Sequence, residues 1–351
     1  MIKLLTYNQI DPQQWQALVD RSPYATWFQT QEAYQFYASN PEEMMPFAYG
    51  VERECTLCAL CVGYVTKERC AIKQYFTRRA IIIGGPLIDN DATAEEVAAL
   101  LNAVKKLQRS DLQPAGRSTA KRSTGLSPIY IETRNFHDYS RWKKVFQKAG
   151  FAYQPHLNYH VDTTSLDQVQ SRIGKHRWRY IRLSMRDGAK IVDNPTIEQV
   201  RAFYTILQDL YRTKVRTPLW SWEFFERLYH TEHARYILVE LDGQIVGGTA
   251  CVCLPGKAVY EWYACGLDDC RDDIRPLSVA IWGEMQYAAE NGYPLFDFMG
   301  AGTPDQPYGV RDFKAEFGGE LVEHGRFLCV RKPLLYWIGK MGVKFLKSKR
   351  K

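Results

Sequence analysis

Apolar positions along the chain recur with two periods, and the changes from one to the other predict strands alternating with helices. Residues 13–19 and 31–37 carry helical spacing. Residues 47–64 predict two strands, and 80–83 predict a third that ends in Gly84-Gly85-Pro86. A helix follows over 94–108, with Glu at its start. The next stretch, 109–127, is rich in Ser, Gly, Arg and Lys, has no apolar period and reads as a mobile loop. Beyond it come a strand over 129–132, a helix over 139–149 closed by Gly150, and a strand through Tyr159 and Val161.

The second half repeats this order. The run from Tyr49, YGVERECTLCALCV, is similar to the run from Tyr236, YILVELDGQIVGGTACVC, in which Asp242-Gly243 marks a hairpin turn. A helix over 278–291 and a strand over 295–298 correspond to the helix from Ala94 and the strand from Ile129. The hairpins stand 188 positions apart and the later strands 166, and the difference of 22 matches an insertion about as long as the 109–127 loop. The pattern therefore predicts an α/β protein with mixed sheets, built as two similar domains in tandem over residues 1–162 and 163–332, with a tail over 333–351. A chain of 351 residues fits two cores better than one.

Composition adds little to that picture until the charge is located. With 46% apolar and 24% charged residues the chain reads as a globular protein, and no apolar run approaches the ~20 residues of a membrane-spanning helix. Nine cysteines at irregular spacing fit reduced thiols, and nothing at the N-terminus resembles a signal peptide, so a cytosolic protein is expected. The net charge of +7 is a property of the tail: residues 331–351 hold eight Lys or Arg and no acid, leaving 38 bases against 39 acids elsewhere. Leu334, Ile338, Met341 and Phe345 fall on one helical stripe of that tail, and Lys340, Lys344, Lys347 and Lys351 on another. Such a helix suits an anionic membrane surface. A helix docked on the body with a frayed basic end, or contact with a nucleic-acid backbone, are the other readings.

Candidate chemistry concentrates in residues 296–322, FDFMGAGTPDQPYGVRDFKAEFGGELV. A strand carrying Asp297 runs into a Gly- and Pro-rich loop that opens onto 309–317, with Lys314 beside Phe313. Free backbone N–H groups and a cation converging there would make an anion or oxyanion pocket. The plainer alternative is an exposed helix on which Lys314 pairs with Glu316 or Asp312. Asp297 is a candidate general base or a loop cap. Cys55, Cys58 and Cys61 lack a fourth ligand at useful spacing and read as small strand residues, so no metal is expected. There is no P-loop, no G-x-G-x-x-G opening a helix and no G-x-S-x-G elbow.

The order of several segments resembles the Fem family of non-ribosomal peptidyltransferases, with its related acyltransferases of the GNAT superfamily. These segments are Tyr24-Ala25-Thr26-Trp27-Phe28-Gln29, Gly84-Gly85-Pro86, Lys175-His176-Arg177-Trp178-Arg179-Tyr180-Ile181-Arg182, Thr213-Lys214-Val215-Arg216, Asp297-Phe298-Met299-Gly300 and Phe313-Lys314. The resemblance covers almost all of the chain up to Val330. It implies two tandem GNAT-like domains, aminoacyl-tRNA as donor and an amine of a lipid-linked or nucleotide-linked peptidoglycan precursor as acceptor, with no resident cofactor. It also implies catalytic roles for Lys314 and Phe313, and for Arg216 a place on acceptor phosphate, where an arginine fork suits a diphosphate. Thr213, Tyr308, Trp262, Tyr263, Glu132 and Arg134 are further candidate substrate contacts. The strand Ile131-Glu132-Thr133-Arg134-Asn135 is similar to the acyltransferase branch, which would use acyl-CoA or an acyl carrier instead of tRNA.

The basic helix over 175–186 remains open to two readings. Lys175, Arg177, Arg179 and Arg182 can grip tRNA phosphates, with Trp178 and Tyr180 against bases or sugars. Alternatively it is a surface helix with Trp178, Ile181 and Met185 in the core.

Overall fold

A computed structural model describes residues 2–68, 70–108, 112, 127–267 and 270–348, without the side chains of 71–73 and 343–348. The loop expected over 109–127 lies, apart from 112 and 127, outside the described residues, as does Lys351.

Contacts divide the chain into two units, Met1–Pro155 with His324–Lys351 and His156–Glu323. The first contains β1 (Ile2–Thr6), β2 (Met44–Arg53), β3 (Thr56–Thr66), β4 (Arg79–Gly84), β5 (Leu87–Ile88), β6 (Tyr130–Asn135) and β7 (Ala152–Gln154). The second holds β8 (Leu157–Asp162), β9 (Lys190–Val192), β10 (Ala234–Leu241), β11 (Gln244–Leu254), β12 (Ala258–Gly266), β13 (Leu295–Asp297) and β14 (Glu320–Glu323). A last strand, β15 (Arg326–Val330), returns to the first sheet between β6 and β7.

The sheet orders are β1-β2-β3-β4-β6-β15-β7, with β5 beside β3, and β9-β10-β11-β12-β13-β8-β14. Taken position by position they are the same sheet: antiparallel up to the fourth strand, one parallel pair, β4 with β6 and β12 with β13, then antiparallel again. The hairpin resemblance extends to detail. Both tight turns have two central residues at positive φ, Glu54 and Cys55 in one and Asp242 and Gly243 in the other, as a primed turn requires. Both hairpins also carry a bulge, between Val51 and Glu52 and between Val239 and Glu240.

The sixth strand explains why the observed division differs from 1–162 and 163–332. In each sheet the fifth and seventh strands flank a strand from elsewhere in the sequence: β8 enters the second sheet and β15 the first. Each half therefore completes its sheet with the strand that local order would assign to the other.

Caps and buried faces fix the helices. Thr93 and Glu96 form a reciprocal capping box on Ala94–Lys105, and Thr196 and Gln199 do the same on Ile197–Leu210. The first core packs Val97, Leu100, Leu101 and Val104 of the former helix against Phe47, Tyr49, Ile82 and Ile131. The second packs Ile281, Met285 and Ala288 of Pro276–Glu290 against Val161, Val259 and Phe296. Cys58 and Cys61 lie three apart on β3 and so face opposite sides of the sheet, with Cys55 in the turn, which suits strand residues and not a shared ligand set.

Candidate active site

β12 and β13 run parallel but pair only over Ala258–Tyr260 and Leu295–Asp297. β12 continues to Gly266 while β13 ends, so beyond Tyr260 the two strands lose each other as partners. The carboxyl ends of neighbouring parallel strands are where open sheets offer backbone groups to a ligand. Against β11 the register slips at Trp262: Ala250 opposes Tyr263 and Cys251 opposes Glu261. The bulge re-aims side chains at that point.

Glu261 and Lys314 meet there. Lys314, on the short helix Gly309–Ala315, is buried; its Nζ lies 3.2 Å from Glu261 Oε1 and donates to the carbonyls of Phe298 at 2.7 Å and Gly300 at 3.1 Å. Those three acceptors match the three donors of an ammonium. The ammonium also sits 5.0 Å from the Phe298 ring centroid. Lys314 thus pairs with neither Glu316 nor Asp312, the partners expected on an exposed helix. Behind Glu261, the fully buried Glu284 has its carboxyl held toward the neutral form by burial and by the neighbouring charge of Glu261, opposed by the Thr249 hydroxyl and the Cys251 thiol. Burial raises Glu261 as well, and the charge and hydrogen bond of Lys314 oppose it.

The Gly-rich loop is stapled from both sides. Asp297 Oδ1 accepts from Asn158 Nδ2 and from the Met299 N–H, Asn158 Oδ1 accepts from the Gly300 N–H, and Asp297 Oδ2 lies 3.0 Å from His160 Nε2. One turn before Lys314, Arg311 donates to the carbonyls of Ala301, Thr303 and Gln306. Met299 is held at φ 56°, a conformation that costs a non-glycine residue energy and persists only where its surroundings over-determine it. Burial pushes the Asp297 carboxyl up, but the His160 bond and charge, with those from Asn158 and Met299, hold it below the ordinary range. Asp297 is fully buried and so acts as a loop cap, not as a base that touches substrate.

Trp262 and Tyr263 follow Glu261 on β12. They stack at 5.9 Å, braced edge-on by Phe224 and Phe225, and the Tyr211 ring lies 6.4 Å from Tyr263. Burial raises the Tyr211 phenol, with Cys265 and Tyr308 adding to it, so the exposed Tyr308 is its neighbour. Tyr211 begins the π-helical segment Tyr211–Val215, which carries Thr213 and ends at Arg216 in the left-handed region, φ 56°. Arg216 Nε donates to the Thr213 carbonyl, and both residues are exposed. Trp262, Tyr263, Tyr211 and Tyr308 are thus neighbours within the second unit, with Thr213 and Arg216 on or at the end of the segment that Tyr211 begins.

Other candidates are placed differently. Glu132 and Arg134 lie on β6 of the first unit, where Glu132 Oε1 accepts from Arg134 at 2.8 Å and from Arg326 at 3.0 Å. Burial raises the Glu132 carboxyl, but these two guanidiniums outweigh it and hold it below the ordinary range. The basic helix, Lys175–Arg186, exposes Lys175, Arg179 and Arg182. Arg177 departs from the expected role: it pairs with Glu316, donates to Ser278 Oγ at 2.8 Å, and lies 4.5 Å over the Phe313 ring. Its guanidinium is committed to holding the helix to the Phe313–Phe317 segment. Trp178 packs on Trp282 and Ile181 is fully buried, as expected of a surface helix, but Met185, expected in the core with them, is exposed, as is Tyr180.

Sequence reasoning left Glu284, Asn158, His160 and Arg311 without roles. Glu284 did carry a signal, a carboxylate alone in the apolar run VAIWGEMQYAA. Asn158 and His160 carried none, since their partners lie far along the chain.

Comparison with known proteins bears on the fold. Residues 175–314 match the GNAT acetyltransferase domain family, a span that begins at the basic helix and ends on Lys314. No curated protein matches the chain by sequence. Among solved structures, FemX superposes with a TM-score of 0.71 at 14% identity, covering 96% of this chain and 99% of its own. L-PGS from Bacillus licheniformis gives 0.55 at 11% identity, covering 94% and 96%. A tandem GNAT protein from the clavulanic acid biosynthesis pathway gives 0.54 at 9% identity, covering 94% and 98%. The chain therefore has the tandem GNAT fold shared with FemX, with its GNAT domain match in the second unit.

Proposed function

We propose that the protein is an acyltransferase of the aminoacyl type, moving an amino acid from aminoacyl-tRNA to an amine of a peptidoglycan precursor. The observation that carries this reading is the buried Lys314–Glu261 pair where β12 and β13 part, held over a stapled Gly-rich loop. In the reaction the acceptor amine attacks the ester carbonyl, a C–N bond forms, the ester C–O bond breaks, and the terminal hydroxyl of the tRNA leaves with a proton from the amine. Negative charge builds on the carbonyl oxygen. A charged oxygen is a stronger acceptor than a backbone carbonyl, so it competes with Phe298 or Gly300 for one Lys314 donor. Trp262 and Tyr263 line the approach, Arg216 and Thr213 hold acceptor phosphate, and Lys175, Arg179 and Arg182 meet the tRNA backbone.

A second reading, transfer from acyl-CoA or an acyl carrier, is favoured by the acetyltransferase domain match over 175–314. Donor competition separates the two. Transfer that requires charged tRNA, and falls at least ~100-fold in kcat for Lys314→Met, supports the first. Thioester turnover without tRNA supports the second. Wild-type rates in Lys314→Met with a competent donor would remove Lys314 from either.

A further inference from the structure

Over residues 333–342, whose side chains are described, the helix Pro333–Ser348 turns its large apolar residues mainly to solvent. An amphipathic helix docked on a globular body turns that face inward. Here Leu335, Tyr336 and Gly339 face the first unit, with Tyr336 edge-on to Tyr130 at 5.3 Å and Gly339 close to the Phe76 carbonyl. The broader apolar side is open: Leu334 is 71% exposed, Trp337 61%, Ile338 39% and Met341 49%. The packed neighbour, Ala71–Thr77, adds Tyr75 at 41% and Phe76 at 39%. Two helices thus contribute six exposed large apolar residues to one part of the first unit, beside a tail with eight bases and no acid.

We infer that these two helices form a docking surface for an anionic lipid bilayer, with Trp337 and Ile338 entering the headgroup boundary and the tail lysines on the phosphates. The helix has 16 residues and a length of about 24 Å, too short to cross the hydrocarbon core. No helix among the described residues is long and apolar enough to cross. It can lie in the interface plane, where an exposed indole and flanking lysines are the side chains that gain most. The charge argues against the other occupants. A second copy would bring eight like charges to meet eight, and a nucleic acid would leave the open apolar face unused. The inference does not depend on the reaction proposed above, because it concerns a different unit and a binding readout.

Flotation of the full chain with vesicles of phosphatidylglycerol and phosphatidylcholine, against phosphatidylcholine alone, tests it. Binding at least ten-fold tighter to the anionic vesicles is expected, weakening with salt. Trp337→Glu with Ile338→Glu is expected to lower partitioning ten-fold or more with the melting temperature unchanged, and Tyr75→Ser with Phe76→Ser to lower it less. Lys340→Glu with Lys344→Glu leaves the apolar face intact and should abolish the preference for anionic lipid. Equal binding to both vesicle types, wild-type partitioning in the Trp337/Ile338 variant, or a dimer in sedimentation that this variant dissociates would each overturn the inference.

Discussion

At the scale of single residues, the second unit depends on two buried ion pairs of different kinds. Lys314 and Glu261 are both almost wholly enclosed, so removing one strands the other's charge, at a cost of about 3–5 kcal/mol for a buried pair. Lys314→Met is therefore expected to lower unfolding free energy by about that amount, and Lys314→Met with Glu261→Met to recover most of it while transfer stays lost. Denaturant melts of the four proteins check this, and a double variant no more stable than Lys314→Met would show that the pair is not the reason. The second pair, His160 with Asp297, is testable by pH. Burial lowers the His160 imidazole, yet the Asp297 bond and charge, with Glu320, leave it above its ordinary 6.5; Asp297 lies below its ordinary 3.8. A raised histidine stabilises fully below 6.5 and loses that contribution as pH rises through its folded value. A depressed carboxylate stabilises above 3.8 and loses it as pH falls through its own. The destabilisation caused by His160→Gln should thus be largest between about 4 and 6.5 and shrink above that range. Thermal melts of both proteins from pH 4 to 9 read it, and a difference that grows toward alkaline pH would refute the assignment.

At the scale of elements, the short helix Gly309–Ala315 is a clamp on the loop before it. Arg311 and Lys314 stand three apart on one face and together hold five loop carbonyls, those of Phe298, Gly300, Ala301, Thr303 and Gln306. Arg311→Ala is expected to speed amide exchange across 301–308 by about ten-fold or more while sparing β12, and unchanged exchange there would show that Asp297 and Asn158 suffice. Much of this element was legible beforehand. The Phe-Lys step after a Gly-rich loop is a local signal, the basic helix ran over the same residues, 175–186, and the Asp242-Gly243 turn follows from local backbone preference. What was not legible is the partner of each charge. Lys314 turned to Glu261 instead of Glu316, and Glu316 took Arg177, because strand register and the bulge at Trp262 decide who meets. Gly84-Gly85-Pro86 shows the same limit from another side. Its glycines sit at positive φ against Thr26 and Tyr139, and the single Tyr139 Oη–H is shared between the carbonyls of Pro86 at 2.7 Å and Gly84 at 3.0 Å, so this segment knots the first unit together.

At the scale of the molecule, the exchange of sixth strands makes the two units unequal when cut. The second unit is continuous, His156–Glu323, and contains every strand of its own sheet. The first lacks β15 until the chain has passed through the second. β15 supplies Phe327, stacked on Phe146 at 3.9 Å, with buried Leu328 and Cys329, and it bridges β6 and β7 in the hydrogen-bond ladder. Deleting one buried Phe costs about 3–5 kcal/mol, against a typical domain stability of 5–15 kcal/mol, and the missing strand also opens two edges. Residues 156–323 expressed alone are therefore expected to melt cooperatively as a monomer, whereas 1–155 alone should aggregate or bind hydrophobic dyes. Joining 324–348 after residue 155 through a flexible linker should restore a cooperative melt, because the added segment supplies the central strand that local sequence order does not. Circular dichroism and size exclusion of the three fragments read the outcome. A folded, monomeric 1–155 would mean that β7 can close on β6 without β15, and that the exchanged strand completes the first sheet without being needed to form it.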